Sequence, residues 1–244
     1  MNQTTINSNN RGAIFLAAII FGIAMIICAV ILSSTFVRVK GMGNQIAVTG
    51  AAYKPIVSDY AIWKGYFEVT SPQLAPAYTK LEQDLVKVKE YMKKQGFDEG
   101  SYEVSNVDIN RRYNRDGIPT DYVLRQNITL ELDDVERVRI LARESSTLIR
   151  EGVEFSSYSP TYIYSKLDDV KLEMIKAATE NAKLRAEQLA STTGKKVGAP
   201  TSARVGVFQI RPQHSQEVSG YGISDVTSIN KEIACTVHVS FLIE

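Results

Sequence analysis

The segment 14–32 constrains this chain more than any other part of it. Its sequence, IFLAAIIFGIAMIICAVIL, contains no charged residue. About 20 apolar residues in a helix, rising about 1.5 Å per residue, cross a hydrocarbon core about 30 Å thick. We therefore predict a single membrane-spanning anchor. Six residues mark the predicted span, namely Ile14, Leu16, Ile20, Gly22, Ile26 and Leu32.

Two other structures also produce a long apolar segment, a buried core helix and a cleaved signal peptide. A buried helix is usually shorter and has a more polar edge. A signal peptide has a basic start and a small-residue cleavage site. Residues 1–10 are neutral and rich in Asn and Thr, and no such site follows the apolar segment. The cleaved signal peptide is the main alternative to an anchor that stays attached.

The chain is predicted to have four parts. They are a disordered tail (1–12), the anchor (13–37), a linker (38–44) and a folded domain (45–244) that is large enough to bury a core. Within the span, Ala18 and Gly22 are small residues four positions apart. Such pairs allow close helix contacts in lipid, which makes these two residues candidates for packing between spans.

The charge balance argues against nucleic acid as the main partner. Residues 1–37 contain one basic residue, Arg11, and no acid, so the rest carries 28 − 1 = 27 basic and 27 acidic residues. A neutral domain is a poor polyanion binder. Arg38 and Lys40 follow the span, which leans slightly against export under the positive-inside rule. We nevertheless predict export, because long domains translocate largely regardless of charge.

The apolar periodicity of the folded domain predicts the order ββαββαβαββ. Strands are predicted at 45–57, 60–70, 102–112, 121–132, 153–164, 203–210 and 231–244, and helices at 71–96, 133–150 and 165–193. Neighbouring hairpins favour antiparallel or mixed sheets with helices packed on one side. The fold class is therefore α+β.

Three surface features are candidates for binding. Arg111, Arg112 and Arg125 flank a predicted hairpin, where they form either a solvated face or a contact for an anion or a lipid headgroup. The segment 153–164 is aromatic and interrupted by Pro160, which favours an edge strand that holds a ligand or a neighbouring subunit. The segment 211–230 is a long polar loop that is either mobile or ordered by something else.

No catalytic constellation is visible, and we expect no enzyme, cofactor or metal ion. The two histidines, His214 and His238, have no metal-ligand spacing around them. Nucleophile-elbow, phosphate-binding and dinucleotide-binding motifs are absent. Paired aspartates at 133–134 and 168–169 begin predicted helices, where capping explains them. Cys28 and Cys235 lie at different predicted depths, so no disulfide is expected between them.

Three stretches of the domain combine into a recognisable pattern, IAVTG at 46–50 with Pro55, MKKQGF at 92–97 and AATENAKLRAEQLASTTGKKVG at 177–198. Together they resemble the SIMPL-domain family. The third stretch has the family's pattern at Ala182, Ala186, Glu187, Leu189, Ala190, Gly194 and Gly198. The alternating Val237, Val239 and Phe241 of the last strand also fit. The resemblance covers 44–244, with Asn181 where an Asp is usual and no Pro or Gly in 227–232.

The resemblance implies a protein of the bacterial cell envelope. Bacterial relatives are periplasmic or outer-membrane associated, are linked to oxidative-stress tolerance and assemble into large ring- or channel-like oligomers, while animal relatives are signalling adaptors. No catalytic residues come with the family. We expect a single-pass protein of the bacterial cytoplasmic membrane, with its domain in the periplasm or outside and with lipid and further copies of itself as partners. The alternative is a sensor that binds a cell-wall or lipid ligand.

Overall fold

The computed structural model describes residues 9–41 and 44–244, with side chains for 14–36 and 44–244. It contains five helices and eleven strands in the described residues. The helices are α1 (Asn9–Gly41), α2 (Leu74–Lys94), α3 (Val135–Glu144), α4 (Thr147–Arg150) and α5 (Leu167–Thr192). The strands are β1 (Gln45–Val57), β2 (Tyr60–Ser71), β3 (Tyr102–Val104), β4 (Asp108–Tyr113), β5 (Pro119–Leu132), β6 (Phe155–Ser157), β7 (Thr161–Ile163), β8 (Val197–Val205), β9 (Gln209–Pro212), β10 (Ile223–Ser224) and β11 (Asn230–Ile243).

Helix α1 is longer than the predicted anchor at both ends. Its 33 residues span about 50 Å at the usual helical rise. It includes residues 9–12 of the predicted tail and 38–41 of the predicted linker, and no proline separates either part from the span. Residues 1–8 of the predicted tail and 42–43 of the predicted linker lie outside the described residues.

The strands form two sheets, which gives the predicted α+β class. Sheet A has the order β1-β11-β9-β10, with β8 also paired to β11. The parallel pairing of β10 with β9 makes it a mixed sheet. Sheet B has the order β3-β5-β2-β6, with β4 on β5 and β7 on β2. Its described ladders are antiparallel and centre on β2 and β5, which pair from Ala61 with Leu132 to Ser71 with Tyr122.

The chain divides into two compact units, each described here by itself. Unit 1 comprises Met1–Gly50, Glu180–Arg204 and His238–Glu244, and unit 2 comprises Ala51–Thr179 and Val205–Val237. The core of unit 2 lies where α2 and α3 pack on sheet B. Trp63 is fully buried there, and its Nε1 donates to Ser157 Oγ at 2.8 Å. Trp63 is therefore a core residue of unit 2.

Apolar residues recur at helical spacing along α2, which predicts an inward stripe of Leu74, Tyr78, Leu81, Leu85, Val88 and Met92. The observed face differs, because Leu74 and Tyr78 are 39% and 44% exposed, whereas Asp84 and Tyr91 are buried. Asp84 is satisfied by an ion pair with Lys80 and a longer one with Lys87. Tyr91 donates its hydroxyl to Leu141 O at 2.8 Å. An apolar pattern misses both positions, because polar side chains are buried when tertiary partners satisfy them.

The helices predicted over 133–150 and 165–193 both begin two residues later in the structure, at Val135 and Leu167, and the first of them is broken into two. The cap of α3 is Asp134 rather than Asp133, since Asp134 Oδ1 accepts from Arg137 N at 3.1 Å. Ser165 does not cap α5, because its hydroxyl donates to Asp59 at 2.8 Å. The helix predicted over 133–150 breaks between α3 and α4, where Ser145 donates its hydroxyl back to Ala142 O.

Helix α5 buries a stripe that partly matches the predicted one, which comprised Leu172, Ile175, Ala178, Ala182, Ala186 and Leu189. The three alanines of the predicted stripe are buried. The buried residues recur every four positions, at Val170, Met174, Ala178, Ala182, Ala186 and Ala190. Leu172 and Leu189, both predicted to be inward, are 71% and 51% exposed. Alanine lets the helix lie close to its sheet, so the small residues rather than the leucines face inward.

Three predicted strands are divided or displaced. The strand predicted at 102–112 is two strands, β3 and β4, and the one at 153–164 is two, β6 and β7. Strands β6 and β7 both pair with the side of β2 that β5 leaves free. The segment 153–164 therefore forms an edge of sheet B, and this edge is interrupted at Pro160. The strand predicted at 203–210 overlaps β8 and β9 and spans the gap between them.

Candidate functional site

The predicted span presents an apolar surface along its whole length. All side chains from Ile14 to Phe36 are exposed, and this is the described helix that is long and apolar enough to cross a membrane. The hydroxyls of Ser34 and Thr35 both donate to Ile31 O at 2.8 Å, which satisfies them within the helix, as lipid requires. A Cβ added to Gly22 would meet nothing within 4 Å, so the face with Ala18 and Gly22 is open for packing.

The three predicted anion-contact arginines do not form one patch. In the β4–β5 ladder, Arg111 lies opposite Tyr122 and Arg112 opposite Asp121, so adjacent Arg111 and Arg112 point to opposite faces of the sheet. Arg125 Nη2 is paired with Glu68 Oε2 at 2.6 Å. This pairing raises the pKa of the Arg125 guanidinium and neutralises part of the positive charge expected at the hairpin. Whether these residues bind an anion stays a prediction.

Arg125 instead lies beside two tyrosines, one of which belongs to the aromatic segment 153–164. Its guanidinium lies 4.2 Å from the centre of the Tyr66 ring, and the Tyr66 and Tyr158 rings are 5.7 Å apart. Tyr158 precedes the break between β6 and β7 and is exposed. The structure therefore brings one residue of the predicted basic hairpin and one of the predicted aromatic segment together on the outer face of sheet B.

A hollow of about 310 Å³ lies next to Tyr158, between α3 and the break in the edge strand. Two of its lining residues are Arg139 and Arg143, one helical turn apart, and the others are Ala142, Ser157, Ser159, Pro160 and Tyr162. Arg139 is paired with Glu136 at 2.6 Å, whereas the nearest carboxylate oxygen to Arg143 is 3.6 Å away, on Glu144. Burial raises the pKa of the Tyr162 phenol, and Arg139 partly opposes this. The sequence analysis missed these arginines, because only the fold brings α3 against the edge strand.

The long loop predicted at 211–230 is ordered by buried polar side chains of unit 2. Gln209 Nε2 donates to Ser219 O at 2.7 Å, and Arg211 Nη1 donates to Glu217 O at 3.0 Å. Lys231 Nζ donates to Tyr162 O and Asp225 O at 2.7 and 2.6 Å. Desolvation lowers the pKa of this buried lysine. The loop is thus held by its own chain, with Tyr221 fully exposed at the tip.

In unit 1, two contacts define how β1 pairs with β11. Ile243 N donates to Asn44 O at 3.0 Å, and Thr49 Oγ1 and His238 Nδ1 form a hydrogen bond at 2.8 Å. Both contacts fit one antiparallel register, in which 44 faces 243 and 49 faces 238. Backbone bonds alternate along such a ladder. The backbone groups of Gln45, Ala47 and Thr49 therefore point away from β11, to the outer edge of β1.

Strand β8 provides the opposite edge of the same sheet in unit 1. Lys196 and Glu244 exchange both backbone hydrogen bonds at 2.9 Å, and Gly206 N donates to Thr236 O at 2.8 Å, so the register of β8 on β11 shifts by two residues between these two pairs. Pro200, which has no amide, lies in this stretch, and the Thr201 hydroxyl donates to Ser240 O at 3.2 Å. The amide of Val197, next to the paired Lys196, points away from β11. Among the described residues, no strand pairs with this edge.

No grouping of His, Cys, Asp or Glu side chains in the described part of the chain could hold a metal ion. Cys235 is buried, which raises the pKa of its thiol, and Cys28 lies exposed on α1. The features that the fold offers are therefore surfaces. They are an apolar span, an aromatic and basic hollow, and a sheet that is open at two edges.

Together these features define a class of protein, an α+β domain that follows an apolar helix fit to anchor it in a membrane. The sequence model of the SIMPL family, described as a protein of unknown function (DUF541), matches residues 46–241. The chain belongs to the SIMPL family. No curated protein matches its sequence significantly.

Proposed function

We propose that this protein is a membrane-anchored protein of the bacterial envelope whose SIMPL domain assembles, without catalysis, into a large ring- or cage-like oligomer. The cytoplasmic membrane holds α1, and the domain lies in the periplasm or outside. The family resemblance supports a role in stress tolerance. Lipid and further copies of the chain are its partners, with no part for nucleic acid or metal.

One observation carries this proposal, the pair of open edges on the sheet of unit 1. The outer edges of β1 and β8 both carry backbone groups that no described strand pairs with. Folded proteins usually protect such edges, because unpaired backbone groups recruit other strands. Identical copies extend a sheet that is open on both sides. A head-to-tail contact between copies gives a ring when the rotation that relates neighbouring copies closes on itself.

The anchor strengthens such contacts. Only three residues separate Gly41 at the end of α1 from Gln45 at the start of β1, which limits the distance between them to about 14 Å. Copies in one membrane are therefore held at a high local concentration, at which weak contacts suffice for assembly.

The test is the mass of the full chain in detergent or lipid nanodiscs, measured by light scattering and mass photometry. We expect one defined species of many subunits and, in negative-stain images, closed particles. A monomer at micromolar concentration in both media would refute the proposal.

A second candidate function is recognition of an anionic envelope ligand, such as a cell-wall fragment or a lipid headgroup. It is favoured by the hollow beside Tyr158, whose lining includes the guanidinium groups of Arg139 and Arg143 and the hydroxyls of Ser157 and Ser159. Guanidinium groups bind carboxylates and phosphates, and aromatic faces pack against sugar rings.

Its test is a thermal shift of the full chain with cell-wall fragments and with anionic vesicles. The variant Arg139→Gln/Arg143→Gln should lose the shift, whereas the matched control Arg111→Gln/Arg112→Gln should keep it. An equal loss in both variants would place recognition at general surface charge and refute the assignment to the hollow.

A further inference from the structure

We propose that the β1 edge of one chain receives the β8 edge of a second copy as a parallel strand, so that one continuous sheet runs through neighbouring chains. This inference rests on the proposed self-association and names the surfaces that make it. The receiving surface is a groove in unit 1 between the β1 edge and α5.

The groove has a volume of about 480 Å³. Its strand side is formed by Ala47, Val48 and Thr49, and its helix side by Arg185, Gln188, Leu189 and Thr192. Leu189, exposed against the sequence prediction, lines the groove. A strand edge beside a helix is a common receptor for an extended segment, which gains backbone hydrogen bonds along the strand and side-chain contacts with the helix.

The β1 edge is unprotected along this groove. Between Gln45 and Gly50 the strand carries no charge and no proline, and the charged and proline residues Lys54 and Pro55 come only later in the strand. One outward carbonyl, Thr49 O, accepts from Arg185 Nη1 at 2.9 Å. The outward groups of Gln45 and Ala47 remain for an added strand.

The β8 edge fits this groove in shape and chemistry. Its residues from Gly198 to Ala203 are all small or medium in size and uncharged, so the strand can approach closely beside α5. No described strand pairs with this edge, so its outward backbone groups are available to a second copy.

The direction of pairing follows from the order of strands within one chain. Strand β11 is antiparallel to both β1 and β8, so β1 and β8 run the same way. A copy placed side by side with the same orientation brings its β8 alongside β1 in parallel. Pairing of two β1 edges would instead bring two Arg185 side chains together, and like charges disfavour that contact.

Disulfide cross-linking in the membrane tests the contact. Two differently tagged full-length chains, both with Cys28→Ser, are co-expressed, one with Ala47→Cys and the other with Ser202→Cys, Ala203→Cys or Arg204→Cys. Ala47 lies on the sheet face that bears His238, and three consecutive positions on β8 sample both faces of that strand. Within one chain β11 separates them by about 10 Å, which exceeds the reach of a disulfide.

We expect a disulfide between the two tags for one of the three positions on β8. Pairing of Ala47→Cys with Ser101→Cys, an exposed loop position, serves as the collision control and should give none. Disulfides only between two Ala47→Cys chains, or none at all in a chain that is oligomeric, would overturn the inference.

Proline substitution tests the same contact without new cysteines. Ala47→Pro removes one outward amide of β1 and leaves the bonds of β1 to β11 intact, so the fold should persist with an unchanged thermal transition. It should weaken association by about tenfold, whereas Ala47→Val, which keeps the amide, should not. An unchanged oligomer in the proline variant would refute the edge contact and leave the proposed assembly standing. A monomeric wild-type chain would refute both.

Discussion

At the scale of single residues, buried polar side chains hold unit 2 together. Asp84 is 1% exposed and lies between two lysines of its own helix. Lys87 Nζ donates to Glu151 O at 2.7 Å and Lys80 Nζ to Gly152 O at 3.4 Å. The Asp84 carboxylate therefore positions the two lysine ammonium groups at the carbonyl oxygens of the two residues that follow α4.

We predict that Asp84→Ala lowers the free energy of unfolding by about 2 kcal/mol, measured by urea denaturation. The value is below that for a fully buried pair, because both lysines are partly exposed to water. The control Glu82→Ala removes an exposed carboxylate of the same helix and should change stability by less than about 0.5 kcal/mol. Equal effects of the two variants would contradict the role given to Asp84.

A second prediction at this scale concerns acid stability. Burial by itself would raise the pKa of Asp225, but the hydrogen bonds from the Thr227 amide and hydroxyl, at 2.8 and 2.7 Å, outweigh it and lower the pKa below the ordinary value of 3.8. A lowered pKa means that the folded state binds fewer protons than the unfolded state. The stabilisation is thus fully present above about pH 4 and is lost as the pH falls through the folded-state pKa.

The variant Asp225→Asn should therefore be less stable than the wild type at pH 6, and the difference should shrink below pH 4. Denaturation midpoints measured from pH 6 to pH 2.5 check this. A difference that stays constant over the whole range would show that the carboxylate does not titrate as the hydrogen bonds require.

At the scale of elements, α5 shows where sequence periodicity fails. The prediction correctly placed Ala178, Ala182 and Ala186 inward, but Leu172 and Leu189, predicted inward with them, are exposed. The predicted and the observed stripes both recur at helical spacing, so periodicity alone cannot choose between them. The choice depends on how closely the sheet approaches, which the partner strands decide.

We predict that Ala186→Leu destabilises the protein by about 2 kcal/mol, because the added side chain has no room at a position that is fully buried. Leu184→Ala, at an exposed position of the same helix, should cost less than about 0.5 kcal/mol. Thermal and urea unfolding of the two variants measure the difference. An equal or larger effect at Leu184 would contradict the assignment of the alanine stripe to the buried face.

At the scale of the whole molecule, the apolar helix decides where the protein resides. We predict that the mature chain keeps residues 14–36 and stays in the membrane fraction after washing at alkaline pH, because about 20 apolar residues anchor a helix in lipid. Intact mass spectrometry and carbonate extraction measure this. A chain cleaved after the helix would support the signal-peptide alternative.

The sequence by itself determined the features that depend on local pattern. A charge-free run of apolar residues predicts α1, and alternation along 60–70 and 121–132 predicts the strands β2 and β5, whose pairing with each other only the structure shows. Tertiary structure alone decided which surfaces are available. Arg125 is paired with Glu68, 57 positions away in sequence, and the β1 groove needs α5 beside the strand edge. Such contacts join distant residues through packing and hydrogen bonds, and no local pattern records them.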